Sequence, residues 1–161
     1  MISNMIKSKL SLKKTLTSLK AQGKKIAFTN GCFDILHYGH IKYLEDAKKH
    51  CDKLIVAVNT DSSVKKLKGK KRPINSLKDR MRMLAALKSV DFVVSFNEDT
   101  PSKIIDYLRP DILIKGADYK IKDIIGNTVV KSYGGKVKRI KYQKGYSVSS
   151  LISKIVKRYA R

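Results

Sequence analysis

The chain has 161 residues, 42% of them apolar, and its 36 basic and 13 acidic side chains leave a net charge of +23. That length predicts one compact domain with a real core, and no stretch of 18 residues is free of charge, so a transmembrane span is excluded. The basic side chains are mostly lysines on polar faces and in turns, with no stripe of aromatics between them, so nucleic acid is not an expected partner.

In chain order, Ser11 to Gln22 predicts a helix with Leu12, Leu16 and Leu19 on one face and Gly23 as its stop. No arginine and no apolar signal core precede it, so residues 1–23 are read as a leader and helix, not as a targeting peptide. Five short apolar runs follow, Ile26 to Thr29, Leu54 to Asn59, Phe92 to Ser95, Ile112 to Ile114 and Val137 to Ile140, each read as a strand buried on both faces. Between them helices are predicted over His40 to Lys49, Ser62 to Leu67, Leu77 to Lys88 and Pro101 to Leu108, the last capped by Thr100. Thr128 to Tyr133 and Ser149 to Tyr159 complete the set. Alternation with connections this short predicts an α/β fold: a Rossmann-like, doubly wound, five-stranded parallel sheet forming a single domain over residues 24–161. Cys32 and Cys51 stand apart with no paired spacing, which fits a reduced, cytoplasmic setting.

Open parallel sheets bind ligands at the carboxyl ends of their strands. The turn after the first strand reads Asn30-Gly31-Cys32-Phe33-Asp34-Ile35-Leu36-His37-Tyr38-Gly39-His40. Gly31 lets the backbone approach a ligand, and the following helix points free N–H groups at the same place, as a phosphate site requires. His37 and His40, three apart, share one side of the first helical turn, with Gly39 keeping the wall between them thin. Zinc would need third and fourth ligands; Cys32 is the nearest candidate and His50 lies at the far end of the helix, so no protein metal site is expected.

The H-x-G-H turn after a G-x-F-D strand exit resembles the nucleotidyltransferase superfamily that includes glycerol-3-phosphate cytidylyltransferase and phosphopantetheine adenylyltransferase. Phe28 to His37, Leu67-Lys68-Gly69 with Arg72-Pro73, Asp79-Arg80-Met81, Val93 to Phe96 with Glu98 to Pro101, and Lys115-Gly116-Ala117-Asp118-Tyr119 are similar to one branch, the D-glycero-β-D-manno-heptose 1-phosphate adenylyltransferases. These are usually the C-terminal half of a bifunctional kinase and adenylyltransferase; without a kinase segment, the chain resembles a stand-alone form.

The resemblance implies transfer of AMP from ATP to a heptose phosphate, giving ADP-heptose and pyrophosphate for the lipopolysaccharide inner core, with Mg²⁺ as the usual companion ion. It implies that His37 and His40 contact the triphosphate, that Asn30, Gly31, Cys32 and Phe33 cradle it, and that Lys68 and Arg72 close over it, unless they belong to a solvated turn. Arg80 would reach the phosphates or pair with a neighbouring acid. Asp34 would pin the turn through backbone N–H groups or help hold a metal ion. Lys115, Gly116, Asp118 and Tyr119 would lie beside the nucleobase and ribose, with Ser147 and Ser149 at a second helix N-terminus. Two positions depart from the branch: Ser147-Val148-Ser149 stands where Ser-Thr-Thr is usual, and Ala117 replaces a glycine, which argues against a positive φ there. A glycerol-3-phosphate cytidylyltransferase-like enzyme is the alternative, and a basic nucleic-acid-binding module the non-enzymatic one. Small-molecule substrates, no membrane partner and an isologous homodimer are the expected associations.

Overall fold

The structure is a computed structural model and describes residues 2–160. Its five strands are β1 (Ile26–Gly31), β2 (Lys53–Asn59), β3 (Phe92–Phe96), β4 (Ile112–Gly116) and β5 (Lys136–Ile140), all parallel and ordered β3-β2-β1-β4-β5. The helices are α1 (Lys9–Ala21), α2 (Tyr38–Lys48), α3 (Asp61–Lys68), α4 (Leu77–Ala85), α5 (Ser102–Leu108), α6 (Asn127–Ser132) and α7 (Val148–Tyr159).

Alternate side chains of the central strands feed two cores, because successive residues of a strand point to opposite faces. On one face Ala27, Leu54, Val56, Val58 and Ile114 pack against Tyr43, Leu44 and Ala47 of α2 and Met81 and Leu84 of α4. On the other, Phe28, Ile55, Ala57 and Leu113 meet Leu12 and Leu16 of α1 and Ile104, Ile105 and Leu108 of α5. Leu12 and Leu16 are wholly buried, each stabilising the domain by about 1.5–3 kcal/mol. Residues before α1 continue the sheet edge: Ile6 bridges Val93, Val93 N–H donates to Met5 O and Lys7 N–H donates to Val93 O.

Several expected boundaries move. α4 stops at Ala85, three residues early, in a tight turn where Leu87 N–H bonds Leu84 O. Thr100 does not cap α5: Pro101 stands at the cap position, its carbonyl receiving Ile105 N–H, and the helix opens at Ser102. β5 is not buried on both faces. It is the outer strand, with Ile140 buried and Lys136, Lys138 and Arg139 exposed, as a sheet edge that must resist further pairing tends to be.

Candidate active site

Strand order reverses on either side of β1, so β1 and β4 diverge at their carboxyl ends and open a crevice there. The resulting cleft has a volume of about 880 Å³. Of the residues singled out in the sequence, His37, His40, Lys68, Asn30, Gly31, Cys32, Phe33, Arg72, Lys115, Asp118, Tyr119, Ser147 and Ser149 line it. Arg80 and Gly116 do not, and both act from behind the wall.

The turn from β1 to α2 is held in an unusual backbone state. Phe33 has φ +46°, costly for a bulky residue, and its buried ring is held in the core while its backbone faces the cleft. Asp34, almost fully buried, fixes the turn: its Oδ1 accepts from Ile74 N–H at 2.7 Å and Asn75 N–H at 3.0 Å, and its carbonyl accepts from the Asn75 amide at 2.6 Å. Its Oδ2 lies 2.6 Å from Arg72 Nε. Of the two roles open to Asp34, the structure gives it the one of pinning the turn.

Arg80 is fully buried, and its guanidinium donates to the carbonyls of Cys32, Asn59 and Asn75 and to Asp61 Oδ1. It ties the ends of β1 and β2 to the start of α4. With these acceptors it is placed to hold the turn from β1 to α2 in shape and not to face the cleft.

His37 is the N-cap of α2, its ring accepting His40 N–H at 3.4 Å. That acceptance leaves the His37 proton on Nε2. The two imidazoles stack with centroids 3.8 Å apart and planes 16° from parallel. Burial lowers the His37 pKa, and burial together with the neighbouring ring takes His40 to about 4, so both are neutral at pH 7. His40 Nδ1 is buried without a hydrogen-bond partner among the described residues. A side chain at Gly39 would bring its Cβ to 2.9 Å from Tyr146 and 3.1 Å from His37, so only glycine lets the segment that carries Tyr146, residues 142–146, close as a strap on this turn.

Across the crevice, Lys115 Nζ donates to Asn30 Oδ1 at 2.6 Å, joining the ends of β4 and β1. Gly116 works through shape: a Cβ there would fall 1.9 Å from the Tyr142 ring and 2.5 Å from Asp118 Oδ1. Ser147 caps α7 in a reciprocal box with Ser150, so its hydroxyl is engaged as an acceptor, while the neighbouring Ser149 is exposed on the cleft wall.

Sequence reasoning missed the strap itself. Tyr142 stacks on Tyr43 at 5.2 Å, and Tyr146 lies over His37 at 6.4 Å and against Tyr38 at 5.3 Å. The signal was available: Tyr142-Gln143-Lys144-Gly145-Tyr146 directly precedes Ser147, so an α7 N-terminus at the cleft must carry these rings with it. Asn59, Ile124 and Ile125 also line the cleft and carried no motif, while Phe96 and Pro101 belong to the branch pattern without a role assigned to them.

Residues 28–157 match the cytidylyltransferase-like family. The chain is 55% identical over 150 residues to the bifunctional protein HldE of Pasteurella multocida, covering 93% of this chain and 32% of that protein. Against HldE of Campylobacter jejuni subsp. doylei the identity is 57%, covering 93% and 31%. The chain thus spans about a third of the length of the curated relatives it matches. Among solved structures, the lipopolysaccharide core biosynthesis protein of Thermoplasma volcanium superposes with a TM-score of 0.63 at 34% identity, covering 78% of this chain and all of that one. A pantoate-beta-alanine ligase of Francisella tularensis, at 20% identity and a TM-score of 0.67 over 93% of this chain and 72% of its own, shares the fold. With the family match running from β1 into α7 and the H-x-G-H turn at the mouth of the parallel sheet, the chain belongs to the cytidylyltransferase-like family of nucleotidyltransferases.

Proposed function

We propose that this chain transfers AMP from ATP to D-glycero-β-D-manno-heptose 1-phosphate, giving ADP-heptose and pyrophosphate for the lipopolysaccharide inner core. The observation that carries the reading is the stacked, neutral histidine pair at the head of α2, set where β1 and β4 diverge. The choice of substrate is supported by the HldE relatives and by the name of the Thermoplasma protein.

A phosphate monoester has a second pKa of about 6, so at neutral pH the acceptor is already a nucleophile and needs no general base. One of its oxygens bonds to the α-phosphorus, the bond from that phosphorus to the bridging oxygen breaks, and the electron pair leaves with pyrophosphate. The protein's task is positioning and stabilisation of charge on the phosphoryl oxygens. In the reading, His37 and His40 supply neutral N–H donors, the Asn30 to Phe33 backbone and the α2 N-terminus cradle the phosphates, and Lys68 and Arg72 close over them. Arg80 is a positioning residue that keeps the Cys32 carbonyl, and with it the cradle, in place. Lys115, Gly116, Asp118 and Tyr119 border the nucleoside, and Ser147 and Ser149 bring the α7 N-terminus towards the phosphates.

Mg²⁺ usually arrives on the triphosphate, held by one or two carboxylates and several waters. The cleft fits an ion of that kind: Asp34 is committed to backbone N–H groups and Arg72, while Asp118 is a carboxylate on the cleft wall. Bound there, the ion would offset triphosphate charge. The reading places the enzyme in the cytoplasm, with the catalytic domain over residues 24–161 preceded by the 1–23 segment. Among the described residues no helix is long and apolar enough to cross a membrane. It also includes an isologous homodimer, for which the uncovered apolar face of α7 offers surface.

Pyrophosphate release with Mg²⁺, crossing ATP and CTP against heptose 1-β-phosphate and glycerol 3-phosphate, tests the proposal. Turnover with ATP and the heptose phosphate alone is the expected result. Turnover with CTP and glycerol 3-phosphate would replace it with the cytidylyltransferase, and silence in all four pairs would return attention to the net charge of +23 and a nucleic-acid partner.

A further inference from the structure

With both imidazoles neutral, the positive charge at the floor of the cleft must come from another group. Arg80 is enclosed by three carbonyls and Asp61, and Arg72 is paired with Asp34. Lys68, at the end of α3, and Lys144, between Tyr142 and Tyr146, both lie exposed. Lys115 differs from all four. It sits on the penultimate position of β4, partly buried, and its ammonium has one hydrogen bond, to the neutral amide of Asn30. Among the described residues no carboxylate lies within 4.0 Å of it. A desolvated cation without a counter-ion is costly, and in a cleft that cost points to an anionic ligand.

The placement says which part of the ligand. On one side of Lys115 is Gly116, where the absent side chain makes room for Tyr142 at the nucleoside end. On the other is Asn30, the first residue of the phosphate turn. The ammonium therefore stands at the junction of nucleoside and phosphates.

We propose that Lys115 is a catalytic residue of the adenylyl transfer, donating from its ammonium to the α-phosphoryl oxygens while Asn30 aims it. The proposal rests on the transfer reading above. Lys115 keeps its proton throughout: the acceptor oxygen bonds to the α-phosphorus, pyrophosphate leaves with the electron pair, and the ammonium stabilises the charge on the oxygens between them.

The surroundings support this. Burial pulls the Lys115 pKa down to about 8, opposed by Asp118 in the following loop. Facing elements contribute Arg139, in register on β5, the hydroxyls of Tyr43 and Tyr142, both held protonated by burial, and the two imidazoles. Free protein thus starts to lose this charge near pH 8, and a phosphate in contact would hold the proton on.

Calorimetric titration of ATP at pH 8.5, in two buffers of different ionisation enthalpy, should show uptake of on the order of half a proton per ATP, absent in Lys115→Met. Turnover should fall at least 100-fold in Lys115→Met with the circular dichroism spectrum unchanged. Wild-type kcat/KM for ATP, which reports the free enzyme, should decline above pH 8, and Lys115→Arg, whose guanidinium does not titrate there, should lose that decline; this comparison carries the test if the Met variant misfolds. ATP binding without proton uptake, Lys115→Met turnover within threefold of wild type, or an alkaline decline that persists in Lys115→Arg would each overturn the proposal. Proton uptake that depends on Lys115 in a protein silent with every acceptor would sustain the phosphate contact and sink the transfer reading instead.

Discussion

The two walls of the cleft are held in place by different means. The wall formed by the ends of β1 and β2 is locked by buried polar groups: Asp34 holds two backbone N–H groups and Arg72, and Arg80 holds three carbonyls and Asp61. The wall formed by β4, β5, the tyrosine strap and α7 rests on ring contacts, and no side chain of α7 is fully buried, Val148, Leu151 and Ile152 being half-buried. Buried polar groups tolerate little displacement because each lost partner leaves a desolvated charge, whereas rings can slide at small cost. The difference teaches a division of labour in the proposed reaction. Under that proposal the wall assigned to the phosphates is fixed in advance, and the wall assigned to the nucleoside is left adjustable for entry and release.

The comparison can be broken most severely at Arg80. Arg80→Met should destabilise the domain by about 3–5 kcal/mol, because Asp61 and three carbonyls lose their shared donor. Chemical denaturation measures this, and a loss below 1 kcal/mol would mean that the first wall is not locked as described. Next comes His40. His40→Ala should lower turnover by about 10²–10³-fold with the fold retained, as removal of one preorganised donor does. The same ring gives a pH dependence. The His40 pKa is about 4 in the fold against 6.5 in the open chain, so between these values the unfolded chain binds more protons. Stability from this residue is complete above pH 6.5 and is lost as pH falls towards 4; melting temperature against pH should be flatter over that range in His40→Gln.

Smaller effects should attend the adjustable wall. Gly116→Ala needs Tyr142 to move by more than an ångström, which strap and ring can do, so the expected change is a rise of roughly tenfold in KM for ATP with stability within about 1 kcal/mol. Steady-state kinetics and denaturation separate the two. Smallest of all, Ile155→Ser with Val156→Ser on α7 should leave monomer stability within about 0.5 kcal/mol of wild type, since both side chains are about half exposed. A larger loss would show that α7 is part of the domain's core.

Much of the site was legible because its parts are contiguous. Gly31 through His40 form one strand exit and one helix start, and local rules suffice for those. Arg80 was not legible in the same way: a sequence shows an arginine 48 residues from Cys32 but not that its acceptors are the carbonyls of three separate segments. Thr100 matched a cap pattern that Pro101 displaced, since the cap is decided by which carbonyl receives the first helical N–H. β5 has the alternation of a strand but not the burial of a central one, and edge position depends on strand order alone.

The sequence by itself determined the alternation of strands and helices, the parallel sheet that short crossovers require, and the glycine-bearing turn from β1 into α2, because each follows from local periodicity, glycine placement and helix ends. Only the tertiary structure decided that Arg80 supports the turn from behind, that Tyr142 and Tyr146 close over it, and that Lys115 meets Asn30 at the ends of β4 and β1 with no carboxylate partner among the described residues. Those outcomes depend on which distant side chains and carbonyls share a buried volume, and burial and desolvation are properties of the assembled fold, not of any segment within it.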